Sequence, residues 1–444
     1  MKKLYILSAL LLFWACSDDD GEFITPVTHT INVNFNEEYG SIAAGGVTLT
    51  LNNIEDGRSY TATTTSAGAA EIEVTPGNYT VNASLTMTAD DYEQAFNKQI
   101  TGEVYFNTST TINISETGVT STDMILESGQ VGDLLIKQIY FAGSDARLGA
   151  IFRDQFIEIH NNSNDVIYLD GLYIGQVKGA ANTSKAGEEN FTANGQYDWS
   201  LSVGQTDQTN ANSGYVYLEE VLQIPGNGSD YPLESGKSVI VAATAVNHKA
   251  PLVAEDKNGE TVTYEVENPD LTVDLSQAQF EGYYADYQTS IGKNPLTSDI
   301  DNPNSVNLNI IFKTFKGNDL ILDTHGREAI VIFSATDEEL NSWNRIPLPT
   351  VSNVSETTAT YMQVPASFIT DGVMCQNTDP SKQTPSRLPN TIDAGDKAVI
   401  KGVLSSESII RKVKSTDGDK VFYQDTNNSA NDFEVLSHPE VIIQ

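Results

Sequence analysis

The side chains that could do chemistry in this chain are few, and their spacing accounts for most of them. Asp323-Thr324-His325-Gly326 brings together a carboxylate and an imidazole, the pair hydrolases use to activate a nucleophile. No Gly-x-Ser-x-Gly elbow or Gly-rich phosphate loop accompanies it, so the segment reads as a turn at a strand end. The five histidines, His29, His160, His248, His325 and His438, include no i, i+4 pair and no cysteine pair lies beside them. That gives no zinc pattern. Asp425, Asn427 and Ser429 have the alternate spacing of a calcium loop. However, Ala430 stands where that loop needs glycine, and Leu436 where it needs a bidentate glutamate. A tight turn is expected instead, with short polar side chains bonded to the backbone ahead of a buried Phe433. With 60 acidic residues, chance carboxylate pairs abound and do not point to a glycosidase. Cys375 reads as a buried spectator thiol. No catalytic residue, metal or cofactor is expected.

Two clusters are candidates for a ligand surface. Phe280, Tyr283, Tyr284 and Tyr287 gather in an otherwise polar segment, where exposed rings would give a stacking face for a sugar or another flat ligand. Their i, i+3, i+4, i+7 spacing also fits a short helix packing its rings on the core, and it favours that reading. Arg387, Arg411, Lys412 and Lys414 concentrate positive charge in a chain with little of it. They would hold an anionic ligand, or else balance carboxylates on neighbouring strands, each pair contributing little.

The balance of charge narrows the partners. The chain carries 25 basic and 60 acidic residues, a formal net charge of −35. Nucleic acid and anionic lipid are poor partners for such a chain, and the bulk charge itself reads as solubility. At the N-terminus, Lys2 and Lys3 precede an apolar run from Leu4 to Ala15, too short to span a membrane, and then Cys16. This looks like a bacterial lipoprotein signal, which implies that residues 1–15 are removed and Cys16 becomes the lipidated first residue. Ser17, Asp18, Asp19 and Asp20 resemble the surface-export signal of Bacteroidota lipoproteins. Lipidated Cys16 leaves Cys375 without a partner, so no disulfide is expected.

The elements that must position any site read as strands. Residues 16–27 read as a tether. Alternation follows in Thr30-Ile31-Asn32-Val33-Asn34-Phe35, Val47-Thr48-Leu49-Thr50-Leu51, Glu71-Ile72-Glu73-Val74-Thr75 and Tyr79-Thr80-Val81-Asn82-Ala83. Gly45-Gly46, Asp56-Gly57 and Pro76-Gly77-Asn78 mark turns between half-buried strands. Residues 28–128 are therefore expected to form a small β-sandwich. Its Ser66-Ala67-Gly68 and Pro76-Gly77-Asn78-Tyr79-Thr80-Val81 segments resemble carboxypeptidase-regulatory or prealbumin-like modules. From 131 to 444 the order is a leading strand at 134–141, Phe156-Ile157-Glu158-Ile159-His160-Asn161-Asn162, Tyr168-Leu169-Asp170-Gly171-Leu172, and an aliphatic strand after Gly236. This order resembles the lamin-tail fold, an immunoglobulin-like sandwich. The extra length is expected as surface loop insertions at about 178–215 and 250–305.

Further motifs occur in sequence order: Ser386-Arg387-Leu388-Pro389, Asp393-Ala394-Gly395, Ser408-Ile409-Ile410-Arg411-Lys412 and Gln424-Asp425-Thr426-Asn427-Asn428-Ser429-Ala430-Asn431-Asp432-Phe433-Glu434. Together they resemble the DUF4876 family of Bacteroidota lipoproteins. The resemblance implies an all-β protein of two β-sandwich domains, the outer-membrane surface, and proximity to a TonB-dependent transporter; it implies no chemistry. The expected function is a non-catalytic ligand-binding or accessory subunit of such a transporter. A surface adhesin or matrix-binding protein is the alternative, and a hydrolase ranks last.

Overall fold

The computed structural model describes residues 25–98, 103–118, 120–128, 132–314 and 316–442. The chain is an all-β protein whose described strands build separate hydrophobic cores. Cys16 and the acidic run Ser17 to Asp20 lie outside the described residues. Among the described residues no helix is long and apolar enough to cross a membrane.

The N-terminal strands follow their alternation. In spatial order they are Ser59–Thr63, Thr48–Asn53, Gly77–Met87, Val104–Ile114, Ser121–Ser128, Val27–Phe35 and Ala69–Val74. Val27–Phe35 runs parallel to Ser121–Ser128 and antiparallel to Ala69–Val74. Every second side chain turns inward, as period two requires, giving a core that includes Ile31, Val33, Leu49, Leu51, Val74, Val81 and Phe106. One end is closed by the helix Ala89–Phe96. Thr88 caps it by accepting from the Asp91 N–H, and Asn97 ends it in the left-handed region. Its Phe96 meets Phe35, Tyr39 and Phe106 edge-on or tilted, and its Tyr92 meets Tyr39 edge-on and stacks on Phe106, with Phe35 and Phe106 centroids 4.9 Å apart.

The remaining strands form two larger sheets packed face to face. One runs Val306–Asn307, Phe280–Glu281, Ser238–Ala242, Phe156–Asn161, Leu134–Tyr140, Ser408–Arg411, Phe433–Leu436. The other runs Arg345–Ile346, Tyr361–Pro365, Tyr215–Gln223, Tyr173–Val177, Ala329–Phe333, Ile369–Gln376, Lys397–Ala398, with Asn309–Lys313 also on Tyr215–Gln223. Between them lie Ile136, Ile159, Val241 and Phe433 from the first sheet, and Ile174, Leu222, Ile332 and Val373 from the second. Asp170 ties the bend after Ile167–Tyr168 to residues 228–231, accepting from the N–H groups of Gly228, Asp230 and Tyr231.

The insertions lie at the surface over most of their length, as expected, but a few of their residues are buried against the sandwich. The strand Leu134–Tyr140 is buried at every position, because its second face is covered too. Val273, Leu275 and Ala278, from the second insertion, pack against the outward-facing Tyr140, Phe156 and Ile240. Trp199 and Ala211, from the first, pack on Tyr217 and Tyr361. Strands that are aliphatic on both faces need such cover, and the polar-looking insertions supply it from a few buried residues.

Candidate functional site

The residues expected to form a ligand surface do not come together. Arg411 is 3% exposed and sits among three carboxylates. It donates to both oxygens of Asp371 at 2.8 and 2.9 Å, to Asp425 at 3.1 Å and to Asp432 at 3.3 Å. The Ile136 and Gln424 carbonyls take further N–H groups, and the Phe433 ring lies against its guanidinium. Burial opposes the guanidinium charge, yet the three carboxylates prevail and its pKa is raised. Burial pushes Asp371 up to about 6 even against that charge. Arg411 therefore ties the interior together rather than facing a ligand. The weak surface pairing expected for it is also corrected, since both sides of the cluster are out of water.

Tyr284 is fully buried and donates to Glu220 Oε1 at 2.7 Å. Phe280 is buried in its short strand, the helix comprises only Ala285–Ser290, and Tyr283 and Tyr287 remain half-buried. The four rings thus give no continuous stacking face. Arg387 lays its stem on Gly179 and donates to the Val177 and Ala180 carbonyls. Desolvation lowers its pKa. Lys412 donates to the Asn431 carbonyl, and Lys414 pairs with Glu103 at 3.2 Å.

The remaining candidates are structural. Asp323 accepts from the His325 N–H and pairs with Arg327 at 2.9 Å, closing a turn through the Gly326 N–H. His325 Nδ1 lies 3.4 Å from Asp323 and its side chain is 46% exposed. The Asp425 segment is a turn as expected: Asp432 accepts from the Thr426 and Asn428 N–H groups, and Asn428 caps the short helix Ser429–Asp432. His160 and His248 are buried and hydrogen-bonded, and desolvation lowers each to about 4. Cys375 is buried and its thiol is pushed well up by desolvation.

A site passed over in the sequence lies where the N-terminal sheet meets the later loops. It lies along the outward face of a four-stranded stretch, of which Gly77–Met87 and Val104–Ile114 carry most of the lining. Thr61 stands opposite Thr50, Thr50 opposite Asn82, and Asn82 opposite Ser109. The next row runs Ser59, Asn52, Thr80, Thr111, and the row on the other side Thr63, Thr48, Ser84, Asn107. No charged residue stands in these rows, although the chain is strongly acidic. The rows were legible as the polar halves of alternating strands. Polar outward residues are the default of any half-buried strand, however, so nothing marked these as special.

The later loops touch this sheet at few points. Asn390 Nδ2 donates to Thr108 Oγ1 at 3.0 Å, Asn107 donates to the Thr426 carbonyl, and Lys414 reaches the Tyr105 hydroxyl at 2.9 Å. Between these contacts the surfaces stand apart. A cleft of about 730 Å³ opens over Thr80 and Ser109 to Thr111, roofed by residues of 183–214 and 376–396. A smaller one of about 370 Å³ lies over Ser84, Thr86 and Tyr105. Glu127 and Asp396 are the only ionisable residues among the described ones lining the larger cleft. Burial raises the Asp396 carboxyl, which accepts from Gln376 Nε2 at 3.3 Å. The lining can bind through hydrogen bonds to hydroxyl and amide groups; it presents no cation.

Comparison with known proteins places part of the chain. No curated protein matches it. A crystal structure of a DUF4876 family protein from Bacteroides thetaiotaomicron VPI-5482 is 24% identical, over 92% of this chain and 95% of that one, with a TM-score of 0.49. An adhesin candidate from Bacteroides ovatus ATCC 8483 is 10% identical, over 81% and 89%, with a TM-score of 0.19. A candidate polysaccharide-binding protein (DUF1812) from Bacteroides thetaiotaomicron VPI-5482 is 11% identical, over 70% and 99%, with a TM-score of 0.17. Residues 234–440, from the Ser238–Ala242 strand to beyond the Arg411 cluster, match the model of the family described as "Protein of unknown function (DUF4876)".

Proposed function

We propose that this chain is a non-catalytic binding protein of the bacterial cell surface. Lipid on Cys16 holds it in the outer membrane, and Ser17 to Asp20 direct it outward. There it serves as the ligand-binding accessory subunit of a TonB-dependent transporter. The observation that carries the binding role is the larger cleft: about 730 Å³, within the range of ligand sites, and set between two separately cored units. The His325 and Asp323 pair, held in a turn, supports a role without catalysis.

The test is a detergent pull-down of the tagged, lipidated chain from its native outer membrane. A stoichiometric transporter barrel is the expected companion. Isolation of the intact lipidated chain alone removes the transporter from the account and favours the adhesin reading. Cys16→Ala is expected to move the chain out of the membrane fraction; its retention there overturns the anchor.

A further inference from the structure

We infer that the larger cleft takes a neutral oligosaccharide, laid on the hydroxyl and amide rows of the N-terminal sheet. This rests on the binding role above and names the class of ligand. Charge selects first. The cleft offers no cation among its described lining residues, and its two ionisable groups are carboxyls, Glu127 and Asp396. A uronic acid, a sulfated sugar or a phosphate would enter against those carboxyls, within a chain of net charge −35.

Hydrogen-bonding type selects next. Thr80, Ser109 and Thr111 on the floor, and Asn194, Gln383 and Asn390 on the roof, carry groups that both donate and accept. Sugar hydroxyls do the same, so either partner can adjust to the other. One such group already lacks a partner within the protein. Thr384 lines the roof at 4% exposure, and its Oγ1 makes no hydrogen bond. Buried polar groups in folded proteins are satisfied as a rule, and unsatisfied ones beside a cleft point to what the cleft receives.

A peptide fits less well. Peptides that pair with sheets add to an open edge, where backbone groups are free. Gly77–Met87 has both edges paired, but the far edge of Val104–Ile114, paired at Phe106 and Asn107, has no strand partner beyond them among the described residues, so edge addition is the alternative that the decapeptide tests. The lining lacks a deep apolar pocket for an anchoring side chain; Ile54 and Leu388 are its large aliphatic residues.

The test uses the full lipidated chain in detergent at physiological salt, titrated calorimetrically. The probes are cellohexaose, xylohexaose, mannohexaose and maltohexaose, with hexagalacturonate as the anionic counterpart and a Ser/Gly decapeptide as the neutral peptide. At least one neutral hexaose is expected to bind saturably. Thr80→Arg and Thr111→Arg, each outward-facing and remote from the core, are each expected to weaken it tenfold or more. Glu71→Arg, on a strand away from the cleft, is expected to leave it unchanged. Tighter binding of hexagalacturonate or of the decapeptide, lost in the same two variants, overturns the ligand class while the cleft remains a binding site. Binding to no probe also overturns the class, and neutral binding untouched by both arginines overturns the location. None of these outcomes bears on the transporter, which the pull-down reads separately.

Discussion

The N-terminal sheet and the later sandwich handle the polar side chains of their strands in opposite ways. On the sandwich, insertions cover parts of the outer faces, and charged strand residues are buried with partners, outward as at Glu158 or between the sheets as at Arg411. Lys137 meets Glu158 at 2.7 Å, Lys313 meets Glu220 at 2.6 Å, and Arg411 meets its three carboxylates. On the N-terminal sheet the outer rows carry hydroxyls and amides, and the later loops touch them at only a few points. A buried charge needs a fixed partner, because leaving it alone costs several kcal/mol. Hydroxyls and amides exchange partners at low cost, with water or with a ligand. The sandwich therefore ties its strand charges into the fold, while the N-terminal outer face keeps groups that can exchange partners, as the proposed binding role requires.

The largest effect that would test this contrast is at Arg411. Arg411→Met leaves Asp371, Asp425 and Asp432 buried together and is expected to destabilise the sandwich by about 3–5 kcal/mol. Trp199 and Trp343, both in that unit, report its unfolding by fluorescence in denaturant. Arg411→Lys is expected to recover little, since one ammonium cannot reproduce the planar fork on Asp371. A variant as stable as the parent would mean that the charges are not bound to the fold as described.

Smaller, and again confined to the sandwich, is a dependence on pH. Burial raises Glu328 to about 8 and Asp154 to about 7, so both hold protons in the folded chain that the unfolded chain has lost. Where the native state binds more protons, stability falls as pH rises. Below pH 6.5 the buried His160 and His248, lowered to about 4, act in the opposite sense. The window is therefore pH 6.5 to about 8, over which the sandwich is expected to lose on the order of 1–3 kcal/mol. Glu328→Gln should flatten part of that slope, the rest lying with Asp154, Asp299 and Asp393, each raised to about 7 by burial, as measured by denaturant unfolding at stepped pH.

The smallest effect is expected at the seam. Lys414 and Glu103 are both well exposed, so Lys414→Ala should cost less than about 1 kcal/mol, and less still in high salt. A larger loss would mean that this pair, rather than the sparse contacts at Asn107 and Asn390, holds the units together.

The two regions also differed in how much of them could be read beforehand. The N-terminal strands were legible because one face is wet and one dry, so Ile31, Val33 and Leu49 alternate with polar neighbours. In the sandwich that signal is erased where both faces are covered, as in Leu134–Tyr140, and the cover comes from insertions whose few apolar residues are diluted by polar ones. Arg411 looked like a surface charge because its partners stand at 371, 425 and 432, and only the folded sheets bring them together. The turn at Asp425 was legible since its bonds are local. The cleft was not, because it requires knowing which wet face another unit would roof.

The most direct test of the division between the proposed binding face and the charges buried in the sandwich sets two variants side by side. Thr111→Arg and Arg411→Met would each be measured for calorimetric affinity toward the tightest neutral hexaose and for denaturant unfolding. Thr111→Arg is expected to lose affinity tenfold or more with its unfolding curve unmoved, and Arg411→Met to shift the unfolding curve. Affinity unchanged in Thr111→Arg, or lost only together with its stability, would contradict that division.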